Sequence, residues 1–192
     1  MRKVTIALLL CTVLFACAGG DGGALEPGDD PVRMYDQAVA ANEAGQLGES
    51  ERILENIISS FATSPNAAAA ESLLAEVRSA SEAQGLQAVR DISLAQANFM
   101  MLRRRYALTL AELVQELSLE KNPSLDDNGY RIRMRGSPSA DAYSLMAEPA
   151  FDMESKRSFF VDSTGIIRWA LGQPATADSP ELEENSSEPA EN

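Results

Sequence analysis

Between residues 88 and 106 the chain carries an apolar stripe that only a helix packed against a second layer can bury. Apolar side chains recur there at alternating steps of four and three positions, at Ala88, Ile92, Ala95, Phe99, Leu102 and Tyr106. Because an α-helix has about 3.6 residues per turn, this spacing places all six on one face. A lone helix cannot bury such a stripe, so the segments that follow are expected to cover it.

Four short segments after this helix show the period-two pattern of β-strands. In the first, apolar and arginine side chains alternate from Tyr130 to Arg135, which predicts one apolar and one cationic face. The second runs from Tyr143 to Ala147, and the last two, 158–162 and 166–171, flank a Ser-Thr-Gly turn. The predicted fold class is therefore α+β, with a long helix packed on a four-stranded antiparallel sheet.

Residues 31–83 have a helical pattern and predict a hairpin of short helices ahead of the long one. The first helix is expected to start at Pro31 and to end at the glycines at 45 and 48. The second has one apolar face, and its charged residues are expected to face solvent: Glu49, Glu51, Arg52 and Glu55. A third helix is predicted over 67–80, and one more over 108–119.

Part of this helical region resembles a tetratricopeptide repeat. The turn, second helix and closing proline of such a repeat correspond to Gly45, Leu47, Ser50, Leu54, Ile58, Phe61 and Pro65. The following SPNAAAAESLLAEV resembles the start of a second repeat. The resemblance implies about one and a half repeats of the kind found in bacterial envelope lipoproteins, with a concave protein-binding face. A generic helical hairpin is the alternative interpretation.

The first 30 residues predict export and a lipid anchor. Arg2 and Lys3 precede a short apolar core, which is typical of a secretory signal over residues 1–16. The LFAC motif that ends at Cys17 resembles the lipobox, in which the cysteine is acylated and becomes the mature N-terminus. Cleavage after Ala18 by ordinary signal peptidase is the alternative and would give a secreted or periplasmic protein. Residues 17–30 are rich in glycine and acid and are expected to form a flexible linker.

Composition excludes several function classes. The chain contains no histidine, and its two cysteines, Cys11 and Cys17, belong to the signal region. Thiol nucleophiles, histidine bases and His/Cys metal sites are thus excluded from the mature domain, and no cofactor is predicted. The net charge of −13 argues against nucleic acid as a partner. Residues 172–192 are acidic, with no apolar repeat, and are expected to be a disordered tail.

The second half of the chain resembles the globular region of type IV pilin-like proteins. Four blocks carry the resemblance in order: VRDISLAQANFMMLRRRYALTLAEL, NGYRIRMR, AYSLMAEP and RSFFVDSTGIIRW. They correspond to a long helix, a bend, two strands and a closing hairpin, and they span about residues 87–169. The resemblance implies a pilin-like α+β domain over 84–171. In place of the hydrophobic filament-packing helix of pilins, this chain has a signal, a linker and helical hairpins.

Two groups of arginines are the candidate partner-binding residues. One ends the central helix and the other lies on the first strand: Arg103, Arg104 and Arg105, and Arg131, Arg133 and Arg135. Together they would form a cationic patch for an acidic partner, lipid head groups or the acidic tail. The alternative is a solvated surface with a charge-guarded sheet edge.

Two short motifs have chemical interpretations that the surrounding sequence does not support. Ser118 and Lys121 match the S-x-x-K of penicillin-recognising enzymes, but the companion S-D-N and K-T-G elements are absent. The acidic run 126–128 lacks the ligand spacing of a calcium loop, so a turn is predicted there.

These observations predict a non-enzymatic lipoprotein of the bacterial cell envelope. It is expected on the periplasmic side of the outer membrane, held by lipid on Cys17, as a scaffold or accessory factor for type IV pilus or secretion assembly. Its partners would be other envelope proteins, possible contact surfaces being the concave helical face and the sheet edge. The alternatives are a structural, surface-exposed pilin-like subunit, or a serine hydrolase that uses Ser118.

Overall fold

The α+β fold class is confirmed: a helical hairpin leads into a long helix that packs against a four-stranded antiparallel sheet. The computed structural model describes residues 30–117 and 129–183. The helices are α1 (Pro31–Glu43), α2 (Leu47–Ser60), α3 (Pro65–Arg103) and α4 (Leu110–Leu117), and the strands are β1 (Tyr130–Gly136), β2 (Tyr143–Pro149), β3 (Arg157–Asp162) and β4 (Arg168–Leu171).

The first three helices bury a common apolar core. α1 begins as predicted, with Pro31 in its first turn and the Asp30 carboxylate accepting a hydrogen bond from the amide of Val32 at 3.0 Å. α2 starts at Leu47, so Gly48 lies inside it. The core of this region is formed by Met34, Ala38, Leu47, Ile53, Leu54, Ile57, Ala70, Leu74 and Val77.

The helix predicted over 67–80 and the central helix are one continuous helix, α3, of 39 residues. The predicted boundary between residues 83 and 84 therefore falls within it. Gly85, in its middle, is where the ring of Tyr130 packs, since a Cβ at Gly85 would lie 2.8 Å from that ring. Glycine weakens a helix interior by roughly 0.5–1 kcal/mol but here admits the aromatic ring.

The C-terminal end of α3 departs from the predicted stripe. Four of its six side chains are buried, whereas Leu102 is 69% exposed. The helix ends at Arg103, and Arg104 takes a left-handed conformation with φ of 59°. Tyr106 consequently lies beyond the helix, where its ring contacts that of Tyr143 at 5.0 Å between centroids. The regular spacing predicted that Leu102 and Tyr106 would also pack from the helix. The helix ends at Arg103 instead, with Leu102 exposed and Tyr106 outside it.

The sheet has the order β1-β2-β3-β4. Every neighbouring pair is antiparallel, as predicted. One row across it joins Ile132, Ala147, Phe159 and Trp169 on the face that packs against α3. The core between this face and α3 is formed by Val89, Ile92, Ala95, Phe99, Ala107, Leu113, Tyr130, Tyr143, Leu145, Ala147, Phe159 and Val161. α3 thus contributes to both cores of the molecule.

Part of the predicted disordered tail lies against the sheet. Among residues 172–183, Ala175 is buried, and the carbonyl of Pro180 accepts a hydrogen bond from the amide of Trp169 at 3.0 Å. The amide of Leu182 donates to the carbonyl of Ile167 at 2.8 Å. Backbone hydrogen bonds hold this acidic segment beside β4. It therefore needs no apolar face, and its sequence shows no apolar repeat.

Several predictions concern residues outside the described ranges: the signal and linker over 1–29, the lipidation of Cys17, the Ser118/Lys121 motif and the turn at 126–128. They stay predictions. Among residues 30–117 and 129–183, no helix combines the length and the apolar character needed to cross a membrane.

Candidate interaction surfaces

The arginines of β1 form an exposed row on the outer face of the sheet. Tyr130, Ile132 and Met134 pack towards α3, so strand alternation turns Arg131, Arg133 and Arg135 to the opposite face. All three are exposed. Arg133 pairs with Glu148 of β2 at 3.2 Å. We call this row the β1 arginine row.

Among residues 30–117 and 129–183, one edge of the sheet is covered by a further segment and the other is not paired with a further strand. β4 is covered by the segment Pro180–Leu182, in which Glu181 bridges to Arg168 with an ion pair of 3.0 Å. Within residues 30–117 and 129–183, β1 is paired along its length with β2 alone. The contact on its other side comes at its last residue, where the amide of Gly136 donates to the carbonyl of Leu108 at 3.1 Å. In the part of the chain that the structure describes, residues 131–135 therefore have no second strand beside them at the β1 edge, next to the arginine row.

The arginines that end α3 lie on the other face of the sheet. Arg103 and Arg104 are exposed, whereas Arg105 is half-buried, with its guanidinium 5.2 Å from the centre of the Phe99 ring. It also donates to Glu112 at 2.5 Å, and this hydrogen bond lowers the pKa of the Glu112 carboxyl. The two triplets are thus not combined into one patch, and Arg105 has a structural role.

The structure places a buried ion pair where the sequence predicted a solvent-facing side chain. Glu51 of α2 is fully buried and accepts a hydrogen bond from Lys156, which is 1% exposed, at 2.5 Å. The ammonium also lies 5.9 Å from the centre of the Tyr130 ring. Helix periodicity put Glu51 on the outer side of α2, but that side is covered by the segment between β2 and β3. The partner is 105 residues away, so no local pattern could reveal it.

Beside this pair, three carboxylates surround one guanidinium. Oxygens of Glu51, Glu55 and Asp152 lie within 4.8 Å of one another, a spacing that also suits a metal ion. Arg78 occupies their centre: it donates to Glu51 at 3.3 Å, to Glu55 at 3.0 Å and to Asp152. Because Arg78 already pairs with all three carboxylates, we interpret the group as a structural ion cluster. It joins α2 and α3 to the segment that follows β2.

A second set of contacts fixes the start of β3 against α3. Arg157 pairs with Glu82 of α3, and its guanidinium stacks 5.6 Å from the centre of the Trp169 ring. Its carbonyl accepts a hydrogen bond from the hydroxyl of Tyr130 at 2.7 Å. Burial, with the negative charge of Glu82 nearby, raises the pKa of that hydroxyl well above its ordinary value. The hydroxyl therefore stays protonated as a hydrogen-bond donor across physiological pH.

Fold and surfaces together define an α+β protein whose helical region and sheet share one long helix. The β1 arginine row lies at an edge that no further strand of the described residues covers. No protein-family model, no curated protein and no solved structure matches this chain.

Proposed function

We propose that this chain is a non-enzymatic, lipid-anchored protein of the bacterial envelope that binds another protein through the β1 edge. The observation that carries the proposal is that, among the described residues, positions 131–135 of β1 have a strand partner on one side alone, while three arginines of the same strand are exposed. An extended peptide adds to such an edge by main-chain hydrogen bonds, while side-chain contacts select its sequence. The arginine row favours a partner strand that carries acidic side chains.

The opposite edge of the sheet provides an internal example of this chemistry. There an acidic segment of the chain pairs with β4 through its backbone, and Glu181 contacts Arg168. The same pairing at β1 would place acidic side chains of a partner beside Arg131 and Arg135, neither of which lies in an ion pair among the described residues. Edge pairing and charge complementarity would then act together.

The signal, the lipobox-like motif at Cys17 and the two resemblances support a role in the envelope. We propose a scaffold or accessory factor of type IV pilus or secretion assembly, held by lipid on the periplasmic side of the outer membrane. Other envelope proteins would be its partners. The tether over residues 17–30 would let the folded region reach them while the lipid stays in the bilayer.

Site-specific crosslinking in cells tests the β1 edge. A photo-crosslinking amino acid in place of Arg133 should capture one defined envelope protein from cells that carry the full-length chain. Replacement of both Arg131 and Arg135 by glutamate should abolish the crosslink, because it repels an acidic partner strand. The matched control, Arg33→Glu with Arg90→Glu, makes the same change in net charge at exposed helical positions and should leave the crosslink intact.

The outcomes distinguish the competing functions. Equal crosslinking by both double variants would contradict binding at β1. Recovery of the chain in sheared filaments would instead identify a structural pilin-like subunit. Labelling of Ser118 by a serine-reactive probe, lost in Ser118→Ala, would identify a hydrolase. Loss of the crosslink in Cys17→Ser would support the lipid anchor as a requirement for assembly.

A further inference from the structure

The backbone groups of β1 alternate between the side that faces β2 and the side that faces away from it. The carbonyl of Gly129 accepts a hydrogen bond from the amide of Ala150 at 2.8 Å, whereas the amide of Gly136 donates away from β2, to Leu108, at 3.1 Å. Because successive residues of a strand direct their backbone groups to opposite sides, the even-numbered residues of β1 face away from β2. Pro149, which has no amide hydrogen, pairs with an even-numbered residue, as this phase requires.

Ile132 and Met134 are therefore the residues of β1 at which a further strand would form its hydrogen bonds. In the part of the chain that the structure describes, their backbone groups on that side make no hydrogen bond. Both side chains point towards α3 and are half-buried against the core. A partner strand would thus meet an apolar row at the same two residues whose backbone it bonds.

The arginines of β1 lie between these two positions and on either side of them. In an antiparallel pair, residues opposite each other alternate between hydrogen-bonded and non-hydrogen-bonded pairs, and side chains approach most closely in the second kind. A strand bonded at the two apolar residues would place non-hydrogen-bonded pairs at Arg131, Arg133 and Arg135. Arg133 already pairs with Glu148, so acidic side chains of a partner fit best opposite the other two arginines.

The covered edge of the sheet shows this arrangement within the chain. Glu181 lies opposite Arg168 in antiparallel pairing, and their side chains form an ion pair of 3.0 Å. The backbone hydrogen bonds fall at the positions on either side, as between Leu182 and Ile167. An acidic residue thus meets an arginine at a non-hydrogen-bonded position, and the next residue, Leu182, is apolar and half-buried.

We propose that the β1 edge selects an antiparallel strand with the five-residue pattern acidic, apolar, unrestricted, apolar, acidic. The apolar residues would exchange backbone hydrogen bonds with Ile132 and Met134 and cover their side chains, and the acidic residues would pair with Arg131 and Arg135. The pattern ends there because Leu108 already bonds the next outward-facing position. This inference rests on the proposed function and specifies the partner segment.

Peptide binding to the full-length protein in detergent tests the pattern. The probe is a fluorescein-labelled GSEVTVEGS peptide. The matched control, GSVEETVGS, has the same composition but adjacent glutamates, which no register can place together on one face of a strand. In fluorescence anisotropy the first peptide should bind saturably, at least about fivefold more tightly than the control, and more weakly as salt is added. Equal binding, or no saturable binding of the first peptide, would overturn the inference.

Two methylated peptides test the backbone contacts. N-methylation of both valines removes the amides that would bond to β1 and should abolish binding. N-methylation of the threonine, whose amide would face away from β1, should leave affinity within about threefold. Equal effects of the two modifications would show that the peptide does not add to the sheet in this register.

Charge reversal in the protein locates the peptide. Arg131→Glu with Arg135→Glu should lose GSEVTVEGS and bind GSKVTVKGS instead, because the charges are exchanged across the same pairs. The control, Arg33→Glu with Arg90→Glu, should keep the original preference. A reversed protein that does not gain the lysine peptide would contradict pairing at these two arginines.

The peptides and the crosslink separate this inference from the proposed function. If GSEVTVEGS and GSVEETVGS bind equally and the reversed protein loses both, the β1 edge binds strands without selecting this pattern. The proposed function would then stand, and this inference would be wrong. If the photo-crosslink at position 133 persists in the reversed protein, the proposed function is contradicted, whatever the peptides show.

Discussion

The buried ion pair of Glu51 and Lys156 fixes how the segment before β3 lies against α2. Burial removes both charges from water, at an effective penalty of several kcal/mol for each ion. The pair is retained because Glu51 also receives Arg78 and because the ammonium of Lys156 lies beside the Tyr130 ring. A well-packed apolar pair of similar volume would often be as stable. We therefore interpret the pair as a determinant of how the segment before β3 docks on α2.

A double-mutant cycle tests this interpretation. Glu51→Leu leaves Lys156 buried without a carboxylate and should lower the free energy of unfolding by about 3–5 kcal/mol. Lys156→Met should cost less, because Arg78 still contacts Glu51 at 3.3 Å. The double variant should be more stable than the sum of the two losses predicts. Urea unfolding measures all four proteins, and strictly additive losses would contradict a coupled pair.

At the residue scale, sequence reasoning located apolar positions better than charged ones. Phe99 was predicted to be buried from its spacing alone, and it is 1% exposed. Glu51 was misplaced because its burial depends on Lys156, far along the chain. Local periodicity shows which side of a helix is apolar. It does not show that a cation far along the chain pairs with a carboxylate and so allows that carboxylate to be buried.

At the scale of elements, α3 is the part that two packing layers share. Its first half contributes Leu74 and Val77 to the core with α1 and α2, and its second half contributes Ile92 and Phe99 to the core with the sheet. Thirty-nine residues correspond to a helix about 58 Å long. Sequence reasoning found both halves, but it placed a boundary between residues 83 and 84, next to Gly85. The contact with Tyr130, which keeps glycine at this position, is visible only in three dimensions.

Two aspartate substitutions on α3 separate its buried and exposed faces. Phe99→Asp should unfold the protein, because it leaves a carboxylate in the core between α3 and the sheet at a cost of several kcal/mol. Leu102→Asp, three residues further along, should change the free energy of unfolding by less than about 0.5 kcal/mol, since Leu102 is exposed. Circular dichroism melting compares the two. Equal destabilisation would mean that the side of α3 that carries Leu102 is covered.

At the scale of the whole molecule, the segment over residues 172–183 completes the sheet. It covers the β4 edge, buries Ala175 and accepts a hydrogen bond from the hydroxyl of Ser158 at the carbonyl of Gln173, at 2.5 Å. Ser158 is fully buried, so its hydroxyl needs this partner or the carbonyl of Ala170 at 3.3 Å. In the described part of the chain, the edge without a further strand is the one that carries the β1 arginine row.

Two truncations measure the contribution of this segment. A chain ending at Leu171 loses the backbone hydrogen bond that Pro180 accepts, the one that Leu182 donates, and the contact with Ser158. We expect it to be less stable by about 2–4 kcal/mol, with a lower melting temperature. A chain ending at Glu183 keeps all these contacts and should melt close to the full-length protein. Equal melting temperatures for both truncations would show that the segment adds nothing to stability.

The order of the elements was predictable for the whole molecule, and the closure of the sheet was not. Alternation of apolar and polar residues revealed all four strands, because each strand has one buried face. The segment beside β4 gave no such signal, since its backbone, rather than its side chains, makes the contacts. The sequence identified the three arginines of β1 as candidate partner-binding residues, whereas the ion cluster around Arg78 combines α2, α3 and Asp152 from distant parts of the chain.

The shared helix also restricts where the gene for this protein can be recombined or fused with other coding sequences. A junction near residues 83 and 84 looks suitable for fusion by sequence, yet it lies inside α3. Each residue inserted there would rotate everything that follows by about 100° around the helix axis. Ala88 and Phe99 would then face away from the sheet while Leu74 kept its place. Recombination at this point must preserve helical phase, so the two halves are expected to be inherited, and engineered, as one unit.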